Sequence, residues 1–136
     1  MSARVGVFGA TGYTGQELVR LLRRHPRVRV AFTTGSQAGH LAHEAGLDEA
    51  ADAYFLAMPH GVAATYAARL REARPEALVV DLSGDLRLPT PESYKHWYGH
   101  DHKAPHLIGR AVFGLCEAYR DRLPGAKLVS NPGCYA

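Results

Sequence analysis

Three evenly spaced glycines near the amino terminus constrain this chain more than any other feature. Gly9, Gly12 and Gly15 follow a short run of β-branched and aromatic residues (Arg4 to Phe8) and lead into an amphipathic pattern of helical period from Tyr13 onward. A strand that passes through a glycine turn into a helix leaves backbone N–H groups unpaired and directs the positive end of the helix dipole at the turn. This arrangement suits a phosphate, because glycine lets the backbone turn tightly and approach the ligand.

A second strand completes a β-loop-α-β unit. Val28 to Thr33 alternates like a strand, and the unit spans about thirty residues, the size of one crossover connection. The spacing G-x-x-G-x-x-G between a strand and a helix predicts dinucleotide binding, with a tight turn that holds no ligand as the alternative. The residues predicted to contact the dinucleotide here are Gly9, Ala10, Thr11, Gly12, Tyr13, Thr14, Gly15, Thr34 and Ser36.

The residues after the second strand bear on the choice between NAD and NADP. NAD sites usually have an Asp or Glu there, which binds the ribose 2′-hydroxyl. This chain has Thr33-Thr34-Gly35-Ser36-Gln37 instead, so no carboxylate repels a 2′-phosphate. We therefore expect NADP(H), although the segment also lacks an arginine that would bind the 2′-phosphate.

The rest of the chain alternates between buried strands and helices. The predicted strands are Ala53 to Met58, Ala77 to Val80 and Leu128 to Ser130, and the predicted helices are Ala63 to Ala73 and a turn near Pro91 to Trp97. Strands without polar alternation, separated by helices, predict a Rossmann-like α/β fold: a doubly wound, mostly parallel sheet with helices on both faces. Thr34 to Asp52 carries no firm prediction, because three glycines interrupt it.

Ligands bind to such sheets at the carboxyl ends of the strands. Four loops should emerge together there: residues 9–15, 59–61, 83–87 and 131–134. We predict cofactor contacts from Pro59, His60 and Gly61, and substrate contacts from Ser83, Arg87 and Asn131, because a planar guanidinium suits a carboxylate or phosphate. The alternatives are a surface-loop histidine at His60 and an exposed pair between Arg87 and Asp85.

Cys134 is the predicted nucleophile. It follows a strand and a Pro-Gly turn, so its thiol should lie at the edge of the sheet beside the nicotinamide end of the cofactor. A thiolate there can attack an activated acyl carbon, expel phosphate and leave a thioester that a hydride donor reduces to an aldehyde. An inert packing thiol is the alternative, and it is the interpretation we give to Cys116, which follows Leu115 in an apolar patch.

Composition excludes several classes of protein. A length of 136 residues fits one domain, and 46% hydrophobic with 21% charged residues is typical of folded globular proteins. The net charge of +3 is spread along the chain without a basic block, so we expect neither nucleic acid nor membrane as a partner. We find no leader or membrane-spanning run and expect a cytoplasmic protein with reduced thiols.

Four histidines and an aspartate cluster between residues 96 and 106 and raise the hypothesis of a metal site. They are His96, His100, Asp101, His102 and His106. Structural zinc sites prefer cysteine and a tighter scaffold than this loop-like segment. We therefore expect no metal.

Taken together, the motifs resemble those of the N-acetyl-γ-glutamyl-phosphate reductases. They are Gly9-Ala10-Thr11-Gly12-Tyr13-Thr14-Gly15, Met58-Pro59-His60-Gly61, Asp81-Leu82-Ser83-Gly84-Asp85-Leu86-Arg87-Leu88, Trp97-Tyr98-Gly99 and Ser130-Asn131-Pro132-Gly133-Cys134-Tyr135. The resemblance implies NADPH-dependent reductive dephosphorylation of N-acetyl-γ-glutamyl phosphate to the semialdehyde, a step of arginine biosynthesis, with Cys134 as nucleophile. It also implies a small-molecule acyl-phosphate substrate and a homo-oligomer.

The chain departs from the family pattern in three respects. It stops two residues after Cys134, so we expect residues 1–136 to be a truncated dinucleotide-binding domain. The substrate domain with the family's catalytic histidine would be absent, and the chain alone would bind cofactor without turnover. The Thr34 to Asp52 connection is shorter than in the family, and Gly35 stands where the family often has arginine. The alternatives are a non-catalytic dinucleotide-binding or redox-sensing module, and a reductase of an aminoadipyl or carrier-linked acyl phosphate.

Overall fold

A computed structural model of the chain describes residues 1–135. The strands are β1 (Ala3–Phe8), β2 (Val28–Thr33), β3 (Ala53–Leu56), β4 (Leu78–Asp81), β5 (Val112–Phe113) and β6 (Leu128–Ser130). The α-helices are α1 (Tyr13–Arg23), α2 (His43–Gly46), α3 (Ala63–Ala73), α4 (Pro91–Tyr98) and α5 (Cys116–Tyr119), with short 3₁₀ helices at Pro105–Leu107 and Arg120–Arg122.

All six strands join one parallel sheet in the order β2-β1-β3-β4-β6-β5. The chain moves from β1 outward to β2 and then returns to the other side of β1 for β3. The strand order therefore reverses between β1 and β3, which is where open α/β sheets bind ligands. The predicted doubly wound parallel sheet is confirmed.

Helices cover both faces of the sheet. Alternate side chains of β3 point to opposite faces and belong to the two cores. On one face, Val19 and Leu22 of α1 pack with Val5 and Val7 of β1. On the other face, the small residues of α3 and its Leu70 pack against a buried aromatic and aliphatic layer. The members of that layer include Phe8, Phe32, Tyr54, Leu56 and Val79.

Local capping explains where α4 begins and ends. The Thr90 side chain accepts a hydrogen bond from the Ser93 N–H, and the Ser93 hydroxyl accepts one from the Thr90 N–H, which is a capping box. Gly99, with φ of 78°, ends the helix in the left-handed conformation. The prediction of a helical turn near Pro91 is confirmed.

Four short elements were not predicted, namely β5, α5 and the two 3₁₀ helices, and the interpretation of Cys116 was wrong. β5 has two residues and α5 has four, so neither shows a hydrophobic period that a sequence pattern could reveal. Within the segment that carried no firm prediction, α2 is the one helix. Cys116 is exposed and begins α5, so the expectation of a thiol packed in an apolar patch was wrong.

No helix within residues 1–135 is both long enough and apolar enough to cross a bilayer.

We predict that Leu70→Ala destabilises the fold by about 2–5 kcal/mol, because Leu70 is fully buried beneath the sheet and its removal leaves a cavity. Leu21→Ala is the matched control, because Leu21 is 53% exposed. Its cost should stay below about 1 kcal/mol. Urea unfolding of both variants tests this, and equal costs would contradict the packing described above.

Candidate active site

Four neighbouring strands end at the same level. Along β1, β3, β4 and β6 the residues in register are Phe8, Leu56, Asp81 and Ser130. The sheet hydrogen bonds continue one residue further, since the N–H groups of Ala57, Leu82 and Asn131 donate to the carbonyls of Phe8, Leu56 and Asp81 at 2.8, 3.1 and 2.8 Å. The four predicted loops therefore leave the sheet side by side.

The three glycines of the first loop differ in what requires them. Gly9 has a φ of 79°, and a Cβ there would collide with the Ala57 carbonyl oxygen. A Cβ on Gly15 would collide with the carbonyl oxygen of Gly9, so α1 can sit this close to the loop only with glycine. A Cβ on Gly12 would meet only Gly9 O, 3.8 Å away. The fold thus needs Gly9 and Gly15, whereas the open space at Gly12 is where a ligand can approach.

The start of α1 presents unpaired donors to that space. Gln16 is the first residue whose N–H is bonded in the helical manner, to Gly12 O at 2.9 Å. Within residues 1–135, the N–H groups of Tyr13, Thr14 and Gly15 have no acceptor, and Gly12 caps the helix without a side chain. Free N–H groups at the positive end of a helix dipole fit a pyrophosphate. The residues present therefore fit a dinucleotide.

Thr34 lies behind the glycine loop. Its side chain is fully buried, its hydroxyl accepts from the Gly9 N–H at 3.3 Å and contacts His43 Nδ1 at 2.6 Å, and its carbonyl accepts from Ala10 N–H at 2.8 Å. Thr34 thus supports the loop with its polar atoms. Ser36, two residues on, is exposed.

His60 is tied into a network of polar and aromatic groups. Its Nδ1 lies 2.7 Å from Asp85 Oδ1 and its Nε2 lies 3.1 Å from the Tyr94 hydroxyl. Its ring packs on Tyr98, with centroids 4.1 Å apart. A single proton assignment satisfies both contacts, with Nδ1–H donating to the carboxylate and the phenol donating to Nε2. His60 is thereby oriented at the edge of the sheet, beside Pro59 and Gly61.

Asp85 joins that loop to the start of α3. Its buried carboxylate accepts from the Gly61 N–H at 2.8 Å and from the Ala64 N–H at 3.0 Å. Burial, reinforced by the negative charge of Asp85, raises the pKa of Tyr94 to about 12, so the phenol stays protonated at neutral pH. The alternative of an exposed pair between Arg87 and Asp85 was wrong, because Asp85 is occupied by these partners.

The loop after β4 is ordered by internal hydrogen bonds. The Ser83 N–H and hydroxyl donate to the two carboxylate oxygens of Asp81, at 2.9 and 3.0 Å, and the Ser83 hydroxyl accepts from the Asp85 N–H at 3.1 Å. Burial raises the pKa of Asp81, and the bonds from Ser83 oppose this shift. Ser83 is buried and its hydroxyl is engaged within the loop.

Arg87 holds the turn that carries Cys134. Its Nε donates to Asn131 O at 2.8 Å and its Nη2 to Leu82 O at 3.1 Å. Its Nη1 has no acceptor within residues 1–135 and lies beside Gly133, where an added Cβ would come within 3.2 Å. The Asn131 amide donates to Pro132 O at 3.1 Å, and Cys134 is exposed. Arg87 and Asn131 are thus brought together at the turn that precedes Cys134.

Two residues at this edge of the sheet, Asp85 and Tyr94, were not predicted to have a role in the site. Asp85 was considered only as a partner of Arg87, and Tyr94 was not singled out. Their roles depend on contacts across 21 and 34 residues of chain, which leave no local spacing to detect.

The histidine-rich segment contributes structure. His102 Nε2 lies 2.8 Å from Asp85 O, and its Nδ1 accepts from the Ala104 N–H at 2.9 Å. Both ring nitrogens are therefore used within the fold. Over the described part of the chain, no three His, Cys, Asp or Glu side chains come together in a metal-binding group.

The sequence model of the family "semialdehyde dehydrogenase, NAD binding domain" matches residues 4–126 of this chain. The chain belongs to this family. The match confirms a nicotinamide dinucleotide as the cofactor of this semialdehyde dehydrogenase domain, while the preference for NADP stays a prediction.

Curated relatives agree with the motifs. The N-acetyl-gamma-glutamyl-phosphate reductase of Afipia carboxidovorans is 44% identical over 152 aligned residues, which take in 97% of this chain and 43% of the relative. The reductase of Symbiobacterium thermophilum is 43% identical over 153 residues, with 99% and 43% covered. The resemblance to this group of oxidoreductases is confirmed. The chain spans 43% of the length of these relatives. The alignments of 152 and 153 positions are longer than the 136 residues of this chain, so they include gaps in it.

Solved structures share the architecture. Aspartate semialdehyde dehydrogenase II of Vibrio cholerae superposes with a TM-score of 0.62 at 18% identity, over 99% of this chain and 43% of that one. A semialdehyde dehydrogenase NAD-binding protein of Cupriavidus necator, solved with calcium and NAD, gives a TM-score of 0.51 at 26% identity over 62% and 34%. These likenesses support the Rossmann-like fold.

We predict that Gly12→Ala weakens NADPH binding by at least about tenfold while changing stability by less than about 1 kcal/mol, because the added methyl group meets ligand space and little protein. Gly15→Ala is the comparison variant. It should destabilise the fold by about 1–3 kcal/mol, because its Cβ collides with the Gly9 carbonyl. Cofactor titration and thermal unfolding of both variants separate the two roles, and unchanged NADPH affinity in Gly12→Ala would contradict them.

Proposed function

We propose that the whole protein catalyses the NADPH-dependent reductive dephosphorylation of N-acetyl-γ-glutamyl phosphate to N-acetylglutamate semialdehyde, a step of arginine biosynthesis. This chain would be its dinucleotide-binding part. The observation that carries the proposal is the common level at which β1 and β6 end, with the glycine loop after one and the Cys134 turn after the other. The curated relatives that match nearly the whole chain carry the name of this activity.

Cys134 is the proposed nucleophile. Its thiolate attacks the acyl carbon, a C–S bond forms, the C–O bond to phosphate breaks, and inorganic phosphate leaves. A dinucleotide held on residues 9–15 would supply the hydride that reduces the thioester. The C–S bond then breaks, which releases the aldehyde and regenerates the thiolate. Exposure of the Cys134 side chain supports this role, because a substrate can reach it.

Arg87 is proposed to bind the anionic part of the substrate. Two of its guanidinium nitrogens hold the chain at Asn131 O and Leu82 O, which fixes the plane of the group. The remaining Nη1 lies beside Gly133 and can donate to an oxygen of the acyl phosphate. The amide of Asn131 is proposed as a second donor at the same turn. Ser83 would act from behind, through the hydrogen bonds that order residues 81–85.

The cofactor contacts are proposed to follow the edge of the sheet. The pyrophosphate would lie on residues 9–15, and the nicotinamide would lie toward Pro59, His60 and Gly61. The fixed orientation of His60 supports this arrangement. Its two ring nitrogens contact Asp85 and Tyr94, so the imidazole ring is held in one position for a nicotinamide to contact. Thr34 would support the loop, and Ser36 would lie toward the adenosine ribose.

For the whole protein we also propose a second domain, a cellular location and an oligomeric state. A second domain outside this chain would supply a catalytic histidine and select the acyl group, so the chain alone would bind cofactor without turnover. A cytoplasmic location is proposed because Cys116 and Cys134 are both free and exposed, which suits a reducing compartment. A homo-oligomer is proposed from the family resemblance.

In the whole protein we predict that Cys134→Ser lowers the phosphate-dependent reduction of NADP⁺ by N-acetylglutamate semialdehyde at least about 10³-fold, because a hydroxyl cannot replace the thiolate. Cys116→Ser is the matched control and should retain activity within about twofold, since Cys116 is an exposed thiol with no part in the proposed chemistry. The assay follows NADPH absorbance. Substantial activity in Cys134→Ser would refute the assignment.

A further inference from the structure

A cleft runs from the glycine loop along α1. It has a volume of about 520 Å³, and its near end is formed by Ala10, Thr11 and Gln16. Gln37 and His40, from the segment that follows β2, form the opposite wall. The cleft therefore begins where the dinucleotide pyrophosphate is proposed to lie and extends beside the end of β2.

Three arginines line the α1 side of this cleft: Arg20, Arg23 and Arg24. Arg20 is paired with Glu17 through two hydrogen bonds, and both side chains are about half exposed, so the pair is weak. Within residues 1–135, Arg23 and Arg24 have no carboxylate partner. The opposite wall adds no acid, because residues 34–41 contain neither Asp nor Glu. The cleft therefore carries a net positive charge.

The direction of the side chains favours a ligand at the loop end of the cleft. Side chains on an α-helix lean toward its amino terminus, and the amino terminus of α1 is at the glycine loop. Arg20 extends back along α1 in this way, since it is bonded to Glu17 one turn earlier, and Arg23 lines the same cleft. The Gly35 backbone packs against the Thr11 side chain, which closes the cleft at that point.

We infer that this cleft binds the 2′-phosphate of NADP(H), with Arg20 and Arg23 of α1 as the residues that select NADP over NAD. The inference rests on the proposed dinucleotide function, because a pyrophosphate on residues 9–15 directs the adenosine ribose toward the end of β2. The two arginines would supply the positive charge that the segment after β2 lacks. Guanidinium groups suit the task, since they donate paired hydrogen bonds to phosphate oxygens.

A structural role for the same arginines is the competing explanation. Basic residues in the last turn of a helix stabilise it through the helix dipole, and Arg20 and Arg23 lie in the last turn of α1. Such a role would affect stability and would not distinguish one dinucleotide from another. Cofactor selectivity therefore separates the two explanations.

The test uses the chain as it stands, with NADPH and NADH as probes in fluorescence titrations. The double variant Arg20→Gln, Arg23→Gln should raise the Kd for NADPH at least about tenfold and leave that for NADH within about twofold. The control Arg120→Gln, Arg122→Gln removes the same charge from the exposed 3₁₀ helix before β6 and should change neither Kd. Circular dichroism checks that each variant is folded.

A second measurement does not depend on any variant. On the unaltered chain, 2′,5′-ADP should displace NADPH at lower concentration than 5′-ADP, and added salt should narrow the difference. Equal displacement would overturn the inference, as would parallel loss of both dinucleotides in the double variant. Equal affinity of the unaltered chain for NADPH and NADH would overturn it and leave dinucleotide binding intact. Failure to bind either would refute the proposed function, and this inference with it.

Discussion

The in-register ending of four parallel strands is the constraint on which the candidate site depends. Phe8, Leu56, Asp81 and Ser130 occupy equivalent positions, and three inter-strand hydrogen bonds extend the pairing one residue further. A shift of one residue in any pair would move its loop by about 3.3 Å and turn its side chains to the other face. The glycine loop and the Cys134 turn can serve one ligand only because this register holds them level.

Buried polar groups then fix the loops to one another. Asp85 accepts from Gly61 and from the first turn of α3, orients His60 and lies within reach of the Tyr94 hydroxyl. A buried carboxylate is costly unless it is satisfied in this way, so its partners are held firmly. Arg87 performs the corresponding task between the loops after β4 and β6, through backbone carbonyls on each. The edge of the sheet is thus a connected set of loops with defined geometry.

Much of this fold could be predicted, because its signals are local. The strand, glycine turn and helix between Ala3 and Arg23 follow from composition and period, and the boundaries of α3 were predicted to the residue. β5 and α5 are too short to have a period, and their existence depends on pairing with β6 and on the packing around it. The register of the strands and the contacts of Asp85 arise only when distant segments meet. The motifs predicted which loops matter, whereas the partners of each side chain required the three-dimensional structure.

The unpaired N–H groups at the start of α1 are the proposed binding site of the dinucleotide pyrophosphate. An NMR titration of the ¹⁵N-labelled chain with NADPH measures this directly, residue by residue. We predict saturable shifts of the amide signals of Tyr13, Thr14 and Gly15, with Val112 in the far edge strand β5 unaffected. Absence of saturable shifts at the start of α1, or their appearance only elsewhere, would contradict pyrophosphate binding at these N–H groups.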